Sequence, residues 1–191
     1  MPISTIGQSG LNAPVTLTSP ILTTPALGTP SALVLTNATG LGVSAMPTGS
    51  VIQVVGATFT SSYSSTSTSA AKSSNSAQSA TITPQFNTSK ILVMMIGGTI
   101  TNDSAGSGAN TYFYIFRGNS VVGTTNASNN LQNNNNTASF NAPNSALYYD
   151  SPATTSATTY TIGLSVNGGG QTANFNGQNS QVQIILMEIR A

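Results

Sequence analysis

Between residues 51 and 191 apolar side chains recur at every second position in short runs, and polar or glycine-containing stretches separate the runs. A period of two places alternate side chains on opposite faces of an extended chain, which marks strands. The segment 158–166 shows it most cleanly, with Tyr160, Ile162, Leu164 and Val166 on one face. Strands are also predicted over 51–60, 79–83, 90–101, 111–117, 120–124, 146–150, 172–176 and 181–190. Segment 90–101 is an apolar central strand, and its Gly97-Gly98 pair marks a bulge or a close backbone approach. In 111–117, Phe113 and Ile115 face one side while Tyr112, Tyr114 and Phe116 face the other, so this strand reads as buried on both faces. Gly118-Asn119 turns it into 120–124 as a hairpin. No window carries a helical period with caps. The elements predict an all-β chain, an antiparallel β-sandwich of jelly-roll-like form, with 61–78 and 126–137 as polar surface loops.

Residues 1–50 read differently. They hold six of the nine prolines, and from Pro14 to Pro30 these recur every five or six residues. Proline at that density excludes helix and drives each preceding residue into extended geometry. The segment cannot build a core, yet it carries Leu17, Ile21, Leu22, Leu27, Leu33 and Leu35. A solvated linker needs no such side chains, so an extended attachment and trimerisation arm is expected here, seated on sister chains or on an underlying protein. Fully extended it would reach about 165 Å.

Composition narrows the chemistry. The first charged side chain is Lys72, and the whole chain has only Lys72, Lys90, Arg117 and Arg190 against Asp103, Asp150 and Glu188. Charged residues make up 4%, where roughly a quarter is usual. In their place stand 27 Ser, 28 Thr and 20 Asn, with no His, Cys or Trp. Four scattered cations do not make a phosphate-binding patch, so no nucleic-acid partner is expected. Without Cys or His there is no thiolate or imidazole metal site and no Ser-His-Asp triad. No apolar run approaches the ~20 residues of a membrane-spanning helix, and no membrane insertion is expected. The start shows neither a basic nor an apolar leader region, so no signal peptide is expected.

Acid–base catalysis needs paired titratable groups, and three carboxylates on separate predicted elements are a poor basis for it. Asp103 and Asp150 read as turn residues that hydrogen-bond their own backbone. Glu188 and Arg190 share a strand face and form a candidate ion pair, at the rim or between subunits. No catalytic, metal or cofactor site is expected. The best candidate for partner or receptor contact is the loop carrying Asn129, Asn130, Asn133, Asn134, Asn135 and Asn136. Its amides can both donate to and accept from sugar hydroxyls or a protein rim.

The phrase TPSALVLTNATGL at 29–41 resembles a recurrent one in tail-fibre and virion surface proteins of marine and cyanobacterial tailed bacteriophages. The segments SKILV at 89–93, FRGN at 116–119, LYYDSPATTSATTY at 147–160 and LMEI at 186–189 resemble the β-rich knobs of such proteins. The resemblance implies an interwoven homotrimer on the virion surface, made in the host cytoplasm. An N-terminal arm would attach it to other virion proteins, and a knob over 51–191 would meet a host glycan or protein. The implied role is a short fibre, with head decoration as the alternative and a carbohydrate-active enzyme as a distant third. Unlike a standard tail fibre, the chain is short and has no long repetitive shaft.

Overall fold

The computed structural model describes residues 42–103, 109–124, 131–133 and 142–191. The arm residues Leu17, Ile21, Leu22, Leu27, Leu33 and Leu35 lie outside that range, as do Asn129, Asn130, Asn134, Asn135 and Asn136. In chain order the strands are β1 (Val51–Phe59), β2 (Tyr63–Ser65), β3 (Ala71–Lys72), β4 (Ser79–Ile82), β5 (Lys90–Asn102) and β6 (Ala109–Arg117). They continue as β7 (Ser120–Thr124), β8 (Leu131–Asn133), β9 (Ala142–Asp150), β10 (Thr158–Val166), β11 (Ala173–Phe175) and β12 (Val182–Ile189).

These strands form two six-stranded antiparallel sheets that pack as a sandwich. In the first sheet β12 lies between β1 and β5, and β9 pairs the far side of β5. The second sheet centres on β10 and β6, with β3 and β4 on β10 and with β7 and β8 on β6. The alternation read from the sequence sets what faces inward. Val182, Ile184 and Leu186 of β12 are buried, as are Ile91, Val93 and Met95 of β5. Across from them lie Tyr160, Ile162, Leu164 and Val166 of β10 with Phe113 and Ile115 of β6. Phe113 and Phe59 both pack on Phe175, with ring centroids 5.4 and 6.2 Å away. Each fully buried aliphatic or aromatic side chain contributes about 1.5–3 kcal/mol relative to exposure.

The Gly97-Gly98 irregularity is a change of partner. Both glycines have left-handed backbone, at φ 95° and 76°, and the β5–β9 register slips between Ile96 and Thr99. β12 pairs β5 as far as Gly97, and β11 takes over from Ile100 on the same side. A Cβ at Gly97 would stand 2.5 Å from the Gln181 carbonyl oxygen, which is why the handover needs glycine.

Two expectations are corrected. The stretch 61–78 is no free surface loop: it contributes β2 and β3, and it closes on Gln78, whose side chain is fully buried. Ser73 Oγ donates to Gln78 Oε1 at 2.6 Å, and Gln78 Nε2 donates to the carbonyls of Ser61 and Ser62 at 2.9 and 3.0 Å. Within 126–137, residues 131–133 form β8, which pairs with β6 and sets Asn133 opposite Ala109. The second face of β6 is closed only in part. Phe116 is buried over Gly163, where an added Cβ would meet its ring at 2.3 Å, while Tyr112 and Tyr114 stay half-exposed.

Candidate functional site

The three carboxylates occupy three environments. Asp150 ends β9 and is buried. It clasps the two sheets together: Arg117 Nη1 of β6 donates to both its oxygens at 2.9 Å, and the Tyr160 hydroxyl of β10 donates to Oδ2 at 2.6 Å. Burial, and then the adjacent Asp150 carboxylate, push the Tyr160 phenol far above its usual range. Asp150 is therefore an inter-sheet tie, and not a turn residue bonded to its own backbone.

Glu188 is corrected in the same way. Its side chain has no exposed surface, and Oε1 accepts from the backbone N–H groups of Gln85 and Phe86 at 2.7 and 3.3 Å. With its amide nitrogen turned toward both acceptors, Gln53 donates to Glu188 Oε2 and to the Thr83 carbonyl at 3.1 Å each. The carboxylate is held inside one chain, away from any rim. Arg190 lies instead over the Phe86 ring, 5.5 Å from its centroid. Register places Glu188 and Asp150 on either side of Ile91. Adjacent strands lie about 4.8 Å apart, so the two backbones are roughly 10 Å apart. Backbone spacing does not set the distance between the two carboxyl groups, and both side chains are buried and hydrogen-bonded.

Asp103 follows β5 and borders a shallow groove of about 430 Å³ lined by Ser62, Ser64, Thr101, Asn174, Gly177 and Gln178. Asn174 Nδ2 donates to Asp103 Oδ2. The lining offers hydroxyls, amides and one carboxylate, with no aromatic platform. It can hydrogen-bond a hydroxylated ligand, but it brings no second titratable group for acid–base work. Among the described residues no cluster of three potential metal-ligating side chains occurs, and no helix is long and apolar enough to cross a membrane.

Among the described residues, most of the large exposed apolar side chains gather on the outer face of the first sheet. Cross-strand register aligns Val54, Met187, Leu92 and Tyr149 in one row across β1, β12, β5 and β9. The next row is Gly56, Ile185, Met94 and Leu147, and the row after it is Thr58, Gln183, Ile96 and Ser145. Leu147 is 67% exposed, Val54 59%, Tyr149 52% and Ile96 45%. Leu92, Met94, Ile185 and Met187 between them are half-exposed. These three rows hold no charged side chain. Sequence reasoning missed this face because 90–101 reads equally well as a strand covered on both sides. The signal was the apolar residues at odd positions of 181–190, namely Ile185, Met187 and Ile189, which a one-sided strand would not carry.

Comparison with known proteins finds no matching family and no matching curated protein. Among solved structures the chain is similar to a mutant VP2 protein of infectious bursal disease virus in derived T=1 particles, at 15% identity and TM-score 0.34, covering 81% of this chain and 40% of that one. Infectious bursal disease virus of the Gx strain gives 19% identity, TM-score 0.33 and coverage of 81% and 42%. The VP2 subviral particle of the same virus gives 16%, 0.31, 81% and 42%. This chain spans about two fifths of the length of the chains it matches. Similarity at this level assigns neither family nor role.

Proposed function

We propose that the protein is a structural component on the surface of a tailed bacteriophage particle. In this reading it is a short homotrimeric fibre. Residues 1–50 attach it to a neighbouring virion protein, and the β-sandwich meets a host glycan or protein. The observation that carries the reading is a wide apolar sheet face in a chain almost without charge. Such a chain has little colloidal protection as a free monomer and suits a permanent assembly. The resemblance of 29–41 and 147–160 to virion surface proteins points the same way. Catalysis is given no part in this function, because Asp150 and Glu188 are buried and held in hydrogen bonds.

The same apolar sheet face also suits a second reading, in which the protein decorates the head and stabilises its lattice. Copy number separates the two. Quantitative mass spectrometry of purified particles should find the protein in them, at tens of copies for a fibre and hundreds for a decoration protein. Particles that contain none would overturn both readings.

A further inference from the structure

The outer face of the first sheet has the anatomy of an interface before any partner is added. Four strands about 4.8 Å apart and about six residues deep give a plan area of roughly 400 Å². That lies within the about 300–600 Å² of the largest apolar patch on a typical monomer, a size that often marks a binding surface. Its centre is Leu92, Met94, Ile185 and Met187, and its exposed flanks are Val54 on β1 with Leu147 and Tyr149 on β9. Thr58, Gln183 and Ser145 border it with uncharged polar groups. Lys90 stands at the opposite end, and its Nζ is already engaged by Ser151 Oγ at 2.7 Å. A standard interface takes about 800 Å² from each partner and has an apolar centre with a polar rim. This face supplies the centre and part of the rim.

We infer that this face is where a second copy of the chain docks. The inference deepens the assembly reading above and rests on it. The occupant is chosen by chemistry. A charged partner would lose its hydration against Leu147, Met94 and Ile185 with no opposite charge to meet. The chain's own net charge of +1 gives no long-range attraction to an acidic or basic surface. An apolar, uncharged sheet face meets these demands, and every copy of this chain carries one. Sheets packed face to face sit about 10 Å apart, so Met94, Met187 and Leu92 would interdigitate with apolar side chains of the neighbour.

The test uses the full chain. The same face on both copies packs about a twofold axis, so sedimentation velocity of the wild type should give an even-numbered oligomer, about twice the 19.3 kDa chain mass for the pair alone and about six times if the arm adds the threefold. A lone trimer, in which the faces cannot pair off, would overturn the face. Val54→Lys and Leu147→Lys place charges on edge strands, where lysine is well tolerated in native sheets. Each should weaken association at least tenfold and leave the far-UV circular dichroism unchanged, with a urea midpoint equal to that of the wild type at dilutions where both are monomeric. Val121→Lys, on β7 of the second sheet, should leave the oligomer intact. If both lysine variants of the first sheet still assemble like the wild type, the face is wrong and the oligomer stands. A wild type that is monomeric at tens of micromolar overturns the oligomer and the face together. A dimer with the same sensitivity keeps the face and removes the threefold symmetry. A second measurement needs no variant. Met94 and Met187 should be protected from peroxide in concentrated protein and oxidise faster on dilution, with buried Met95 slow in both. Equal oxidation of Met94 and Met187 at both concentrations, in an oligomer confirmed by sedimentation, would place the contact elsewhere.

Discussion

Gln78 and Tyr160 show how a chain with seven charges fixes its polar parts. Gln78 saturates both ends of its amide on Ser73, Ser61 and Ser62, so the Ser/Thr-rich stretch around it is anchored from inside. Replacing it by Leu strands two carbonyls and a hydroxyl, and urea denaturation should show a loss of about 3 kcal/mol. Tyr160 makes a prediction in pH. Its unfolded-state value is 10.0, and its folded value is raised by burial and by the neighbouring Asp150. The native state therefore keeps a proton that the unfolded chain releases above pH 10. The stabilisation is complete below pH 10 and is lost as pH rises beyond it, at up to about 1.4 kcal/mol per pH unit. Tyr160→Phe should remove this share of the alkaline slope in stability curves between pH 9 and 11. An unchanged slope would mean that other tyrosines carry it.

At the scale of elements, the handover of β5 from β12 to β11 depends on its two glycines. An alanine at Gly98 combines a left-handed φ of 76° with a Cβ 2.9 Å from Phe175 Cζ. Gly98→Ala should cost about 2–4 kcal/mol in thermal or chemical unfolding. This bulge was legible in the sequence, because two adjacent glycines inside an apolar run have few other uses. The strands were legible for the same local reason: alternation at 158–166 and aromatic density at 111–117 need no knowledge of partners. The network around Gln78 and the clasp of Asp150 with Arg117 and Tyr160 were not legible. Their partners lie on separate strands, and only the finished sandwich brings Asp150 beside Arg117. Glu188 misled for a related reason. Spacing set it on one strand face with Arg190, but that face points inward to the amides of Gln85 and Phe86. The apolar outer face was half legible: an apolar strand such as 90–101 demands cover on both sides, and sequence alone does not say which side the second sheet covers.

The described residues form two sheets tied by an apolar core, and the outer face of one sheet is apolar and without charge. Assembly through that face should respond to heat and denaturant, which act on apolar and peptide groups, and hardly at all to salt. Sedimentation between 0.05 and about 1 M salt should give the same oligomer, or a slightly tighter one; dissociation by salt would point to a charged contact in place of the sheet face. The central claim is that this chain is a building block of a particle surface, and imaging the particle tests it most directly. A three-dimensional reconstruction of purified particles should show the two-sheet sandwich outside the shell, with neighbouring copies meeting through β1, β12, β5 and β9. Particles that lack this density, while the protein accumulates free in the lysate as a soluble monomer, would contradict the account.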